Sequence, residues 1–368
     1  MIQVFKPFMG EEEVKAVEEV IKSGWLGLGP KTVEFEKKFA KYIGTKFSVG
    51  LNSATSALDL ALKLLHINHG DEVIVPTMTF VSTAHVVTYN LATPIFVDID
   101  PKSLLINFED LKAKITSRTK AVIPVHYSGR AVDIDKLREI VGEIPIVEDA
   151  AHACGSIYKD KKCGSLGDIG CFSFHAVKNL ATGDGGALTL NNQKWYERSK
   201  KLRWLGIDKG TWDRTELDKS YWWQYFVDEI GLKCHMNDIS ASIGLIQLKK
   251  LDSMNTKRKK IAEEYTNAFR NVEWIETPLD DDNIYQSSWH IYCIKCENRD
   301  ELSSYLKSKG IATGVHYKPI HQYKCYGNTP SLPIAERVAE KILSLPIYPG
   351  LSDREVDYII ESILSFKD

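Results

Sequence analysis

The chain has 368 residues, 43% of them hydrophobic, more than a typical single domain and ample for a packed core. A formal net charge of -2 and a pI near 6.6 exclude the basic surface of a nucleic-acid binder, and no apolar run reaches the length of a bilayer span. The opening residues, MIQVFK, have neither a signal-peptide core nor a transit pattern, so a cytoplasmic location is expected. In chain order, apolar periodicity predicts helices over residues 11–23 and 32–43. Strand-like runs follow at 72–76, 93–97, 121–125 and 144–148, with helices between them, as at 79–90 and 107–114. That alternation predicts an α/β fold with a mostly parallel sheet covered on both faces. A long helix is expected from residue 237 past 250, and a charged helical stretch at 253–272. From 287 onward the pattern suggests a smaller α+β unit, with helices at 300–309 and 353–366. The expected division is a large domain over 1–250, including an N-terminal arm, and a small C-terminal domain over 251–368.

Residues 171–186, CFSFHAVKNLATGDGG, carry the strongest chemical signal. They read as a buried strand, a polar turn holding Lys178, and a diglycine that opens another strand. Lysine is almost never fully buried without a partner, and desolvation lowers its pKa toward a nucleophilic free amine. A desolvated lysine beside a loop of small residues suits an enzyme that forms a Schiff base. Upstream, 144–153, IPIVEDAAHA, is an apolar strand ending in two carboxylates. Ligands of open α/β sheets bind beyond the carboxyl ends of the strands, which places Asp149 for a cofactor. Alone it fits a helix cap equally well. With Lys178 it matches the carboxylate that pyridoxal phosphate needs at its ring nitrogen.

Residues 49–57, VGLNSATSA, lead into a helical run at 58–65. Small hydroxyl residues at a helix start leave N–H groups for an anion such as a phosphate, and the same residues serve as an ordinary cap. Seven cysteines, an odd number, suit a reducing compartment. Cys293 and Cys296 form a C-x-x-C, but on a strand two residues three apart face opposite sides, a poor geometry for joint ligation. No zinc-spaced second pair follows, so both are read as structural, with no metal expected. Residues 203–209, RWLGIDK, and 221–225, YWWQY, bracket a region rich in aromatics and charge. Stacking of a nucleotide base and packing of a dimer interface both fit that composition.

Several segments stand in family order: 23–30 (SGWLGLGP) with Phe35 and Glu36, 52–55 (NSAT), 76–80 (PTMTF), 148–152 (EDAAH), 173–186, and 316–321 (HYKPIH). Together they resemble the DegT/DnrJ/EryC1/StrS family of sugar aminotransferases, fold type I pyridoxal-phosphate enzymes, nearly end to end. The resemblance implies that Lys178 holds the cofactor and later moves a proton, and that Asp149 pairs with the pyridinium nitrogen. It implies that His152 lies near the ring's phenolic oxygen, where relatives often carry Gln, and that Phe80 stacks on the ring. Ala54, Thr55 and Ser173 are expected at the phosphate, and His321 and Trp25 at the substrate. The implied reaction takes an amine from L-glutamate to a nucleotide-linked keto-deoxy sugar, in a homodimer with shared active sites.

The chain departs from the family at 231–238, GLKCHMND, where Lys233 stands in place of an Asn that reaches the partner's cofactor phosphate and His235 in place of an Arg. A lysine meets a phosphate as a point charge, so Lys233 is expected in the same role. Asp184 replaces the usual Glu. Two rivals remain. A sugar 3-dehydratase of the same family carries histidine at the lysine position, and a non-catalytic regulatory relative would be expected to lose Lys178 or Asp149.

Overall fold

The computed structural model describes residues 1–208 and 225–366. Two amphipathic helices, α1 (Glu11–Ser23) and α2 (Pro30–Ile43), precede the first strand. Each stops at a glycine with positive φ, Gly24 at 75° and Gly44 at 91°, a conformation that only glycine adopts cheaply. The strands are β1 (Phe47–Leu51), β2 (Glu72–Pro76), β3 (Thr93–Val97), β4 (Thr119–Val122), β5 (Val147–Asp149), the short β6 (Ile157–Tyr158) and β7 (Lys161–Lys162), β8 (Ile169–Ser173) and β9 (Gly186–Leu190). Between and after them come α3 (Ala54–Leu64), α4 (Ser82–Tyr89), α5 (Phe108–Lys114), α6 (Ile134–Val141) and α7 (Gln193–Leu202). Strands pair in the orders β1-β9-β8-β5 and β3-β2-β4, and parallel bridges at Val122–Ile146 and Val125–Asp149 join β4 to β5. Only β9 runs against its neighbours in this sheet. A parallel return from β8 would need a crossover of a dozen or more residues, usually a helix; residues 174–185 form a loop instead and carry Lys178.

The alternation of side chains assigns the two sheet faces. Ile169 and Cys171 of β8, with Leu188 and Leu190 of β9, join the Leu58, Leu60 and Leu62 side of the core. Phe172 and Ala187 point the other way, against Phe35 and Phe39 of α2. Each fully buried leucine here contributes roughly 1.5–3 kcal/mol. Both faces are thus covered, as the apolar strands required.

The stretch after residue 237 is helical, as expected, and longer than a single expected segment. One continuous helix, α8 (Asp238–Phe269), replaces the expected pair, and the expected boundary at 250/251 falls inside it. The segment contains no proline, and its 32 residues span about 48 Å. Its first residue ties the N-terminal region down: the buried Asp238 carboxylate accepts hydrogen bonds from the N–H groups of Gly29, Lys31 and Thr32 at the start of α2. Its second half packs Ile261, Tyr265 and Phe269 against β11 (Tyr292–Lys295) and β12 (Ile342–Leu345), which follow the short β10 (Tyr285–Gln286). Helices α9 (Arg299–Ser308), α10 (Pro333–Ala339) and α11 (Asp353–Leu364) complete the chain. The helix expected at 79–90 begins only at Ser82, which leaves 77–81 as a loop beyond β2. Cys293 joins one apolar cluster and Cys296 another, on opposite sides of β11 as the strand period dictates.

Candidate active site

Parallel β1, β2, β5 and β8 all end at the same edge of the sheet. The residues just past those ends, with the 174–185 loop, enclose a cavity of about 390 Å³. Ala54, Thr55, Phe80, Asp149, His152, Ser173 and Lys178 all line it. Seven positions spread over 125 residues of sequence therefore meet because strand direction is shared.

Burial brings the Lys178 amine down to about pH 8, the negative charge of Asp149 opposing the shift. The neighbouring Asn179 anchors the loop, donating to the Asn255 side chain of α8 and to the Ser288 carbonyl, each at 2.8 Å. Asp149 is 4% exposed. Its Oδ2 accepts from Thr83 Oγ1 at 2.8 Å and its Oδ1 from the Ala151 N–H at 3.2 Å. Burial pushes its pKa up, partly offset by those two bonds and by the charges of Lys178 and His126. No salt bridge to Asp149 is formed among the described residues, so a buried carboxylate faces the cavity with Lys178 and His126 acting on it only through space. Its neighbour Glu148 points the other way and, fully buried, takes N–H bonds from Gly164, Leu166 and Gly167 at 2.6–2.7 Å. The two carboxylates of the motif thus divide between holding the loop and facing the site.

At the start of α3, Ser53 caps the helix by accepting from the Ser56 N–H at 3.1 Å. The Ala57 N–H goes to the Ser53 carbonyl. The first N–H groups of a helix have no intrahelical acceptor, so those of Ala54 and Thr55 are left for an anion in the cavity. Gly186 lets β9 pass close by, since a Cβ there would run into the Ser53 and Ala54 backbone. Phe80 is 56% exposed at the cavity wall, which removes a core role, and lies 6.1 Å from the Tyr317 ring. His152 Nδ1 accepts from the Ser128 N–H at 3.4 Å, and its Nε2 stands 3.0 Å from Tyr317 Oη. Burial and nearby positive charge hold this imidazole neutral. The proton is therefore on Nε2 and points to the tyrosine, whose hydroxyl can donate into the cavity.

The remaining expected residues lie elsewhere. His321 does not line the cavity: it is buried, with Nδ1 2.6 Å from Thr77 Oγ1 and Nε2 3.0 Å from Glu336 Oε1. Both ring nitrogens are engaged in fastening the 316–321 segment, whose His316 and Tyr317 face the cavity in its place. Trp25 and Lys233 line a second recess, of about 480 Å³, with Arg203, Trp204 and His235. There the Lys233 ammonium sits 3.5 Å from the centre of the Trp204 ring. Tyr221, Trp222, Trp223 and Gln224 lie outside the described residues.

The DegT/DnrJ/EryC1/StrS aminotransferase family matches residues 7–364. The chain belongs to that family. Its relatives include the spore coat polysaccharide biosynthesis protein SpsC of Bacillus subtilis, 40% identical over 97% of this chain and 95% of that protein. Among solved structures, Spr1654 of Streptococcus pneumoniae, described as a proposed sugar aminotransferase and seen in its PMP-form, is 35% identical, with a TM-score of 0.94 over 100% of this chain and 99% of its own. The aminotransferase TlmJ of Streptoalloteichus hindustanus is 37% identical with a TM-score of 0.94, covering 100% of this chain and 99% of its own. Fold type I and the sugar aminotransferase family, both expected from the motifs, are thereby established. Sequence reading missed Thr83, Asn179, His290, His316 and Tyr317. Of these, only Asn179, His316 and Tyr317 sit inside motifs that offered any signal.

Proposed function

We propose that this protein is a pyridoxal-phosphate aminotransferase that transfers the amine of L-glutamate to a nucleotide-linked keto-deoxy sugar, in a homodimer whose subunits share active sites. The observation that carries the reading is one cavity holding a lysine softened by burial and a buried carboxylate that forms no salt bridge among the described residues. Such a pair fits a ring with an aldehyde on one side and a protonated nitrogen on the other. When bound, pyridoxal phosphate supplies an electron sink for the pair left behind as a proton leaves the amine-bearing carbon. Asp149 would keep the ring nitrogen protonated, and Lys178 would bind the aldehyde carbon. Once released, Lys178 Nζ would take the proton from the donor carbon, and its value near 8 makes it basic yet releasable at neutral pH. The N–H groups of Ala54 and Thr55, with the Thr55 and Ser173 hydroxyls, would hold the phosphate. Phe80 would cover one ring face, and the His152–Tyr317 pair would line its edge.

The second recess supports the shared site. Its lysines, Arg203 and two tryptophans suit an anionic, aromatic group, and Lys233 is the cation that would reach the partner's phosphate. The name of SpsC supports a sugar as the acceptor. Lys178 speaks against the 3-dehydratase alternative. The deciding experiment incubates the purified protein with L-glutamate and a panel of nucleotide-linked keto sugars, reading amine gain by mass spectrometry. Transfer to small 2-oxo acids with no sugar aminated would overturn the substrate assignment.

A further inference from the structure

His290 lies just before β11, in a segment where no motif marked a functional group. It is 2% exposed, and its Nε2 stands 3.3 Å from Lys178 Nζ. The ring is held by packing: Phe5 of the N-terminal arm stacks on it at 5.1 Å and 12°, and the His152 ring meets it at 4.6 Å. The arm is itself fixed, with Ile2 exchanging backbone bonds with Gly310 and Ala312, and Val4 accepting from Ile347 at 3.0 Å. The backbone N–H of His290 donates to the Ser128 carbonyl at 3.0 Å. Its imidazole cannot swing away from the lysine without dismantling these contacts.

The unpartnered atom of this ring is informative. Nδ1 of His290 is buried and has no hydrogen-bond partner among the described residues. In His152 a backbone N–H at Nδ1 settles which nitrogen carries the proton. In His290 nothing settles it, so Nε2 can accept from an ammonium and, in the other tautomer, donate to a free amine. A catalytic lysine passes through both states. The charged and titratable groups around His290 are Lys178, His152, Arg258 and His316; burial first, and then these neighbours, keep the imidazole neutral. A neutral ring can serve both forms of the amine, whereas an imidazolium would repel the ammonium.

We propose that His290 is a positioning residue for Lys178, its Nε2 holding the lysine's amine in one place whenever that amine is not bonded to a carbonyl carbon. The proposal rests on the reading of Lys178 as the moving base. Loss of this contact leaves a long, flexible side chain to find the donor carbon unaided, and misplacement on the scale of 1 Å is costly to proton transfer.

The first test needs no cofactor. Trace acetylation of the cofactor-free protein across pH, read at the Lys178 peptide by mass spectrometry, reports when that amine loses its proton. In the parent the expected midpoint is about 8. His290→Leu removes a charge-assisted bond to the ammonium, which lowers the midpoint by about one unit, while His290→Gln, which keeps an acceptor, stays near the parent. Phe5→Ala, which loosens the ring without touching the site, moves the midpoint the same way by less. The second test uses the loaded enzyme and α-deuterated glutamate in single turnovers. His290→Leu slows proton transfer about tenfold or more and enlarges the isotope effect, with the borohydride-fixed adduct intact and KM for glutamate little changed. His290→Gln recovers most of the rate. Parent-like acetylation profiles in both His290→Leu and Phe5→Ala overturn the proposal, as does a parent-like rate in His290→Leu. If the parent itself forms no borohydride-fixed adduct, the reading of Lys178 fails, and the acetylation profiles alone decide whether His290 holds its amine.

Discussion

Replacing Asp149 by Asn separates the cost of this carboxylate to the fold from its value to the chemistry. The shape of the site should survive, because an amide can direct its oxygen to the Ala151 N–H and its NH₂ to Thr83 Oγ1. Thr83 in turn can pass its own proton to Thr79, 2.8 Å away. What is lost is a buried negative charge. Breaking one half of a buried ion pair costs about 3–5 kcal/mol. Converted at about 1.36 kcal/mol per tenfold, amine transfer from glutamate slows by roughly 10²–10⁴ in single turnovers. The cofactor-free protein should respond in the opposite direction. A carboxyl whose folded pKa is raised holds its proton more tightly folded than unfolded, so the stability it supports is present below its ordinary value of 3.8 and is lost as pH rises through the raised one. Above the raised pKa the ionised carboxylate, which forms no salt bridge among the described residues, therefore burdens the fold, and Asp149→Asn raises the melting temperature of the cofactor-free protein there, by less as pH is lowered through that value. Stopped-flow single turnovers and calorimetry with and without cofactor measure both effects. A variant that transfers the amine as fast as the parent, or that melts lower without cofactor, would show that Asp149 is not the uncompensated charge of this site.

Lys178→Ala should keep the fold, lose the borohydride-fixed adduct, and slow transfer by at least roughly 10²–10⁴, as removal of a positioned base does; parent-rate turnover would end its assignment. Gly186→Ala forces a Cβ into the Ser53–Ala54 backbone, so urea unfolding should show a loss of about 1–3 kcal/mol together with weaker cofactor binding. Phe80→Ala, at an exposed position, should leave stability within about 0.5 kcal/mol while raising the cofactor concentration needed for saturation. His321→Ala removes the imidazole's contacts to Thr77 and Glu336, although Glu336 keeps the Ser331 hydroxyl and the Leu332 N–H, and should cost about 1–3 kcal/mol in stability with kcat/KM for the sugar largely kept. A selective loss of sugar KM in that variant would return His321 to the substrate.

How far the site was legible follows from the range over which each signal acts. Lys178, Asp149 and the Ser53–Thr55 helix start are all marked by short-range pattern, an apolar strand that ends abruptly in a polar residue. Parallel strands carry such ends to one edge of the sheet, so local pattern and strand direction suffice to gather them. The α/β alternation was readable for the same reason, since side-chain periods of 2 and 3.6 are local properties. That the stretches on either side of residues 250–253 form one helix was not legible locally; in the fold Asn255 accepts from Asn179 and donates to the Cys154 carbonyl, partners that come from distant parts of the chain. His321 carried a family motif, yet its direction was settled by Thr77, 244 positions away. The Lys178–His290 contact spans 112 positions and depends on an N-terminal arm that packs Phe5 on the ring. The sequence alone determined which chemical groups exist and at which strand ends they stand. Only the tertiary structure decided which histidine faces the lysine and which is spent on holding a loop, because an imidazole serves either purpose and its partners come from distant parts of the chain.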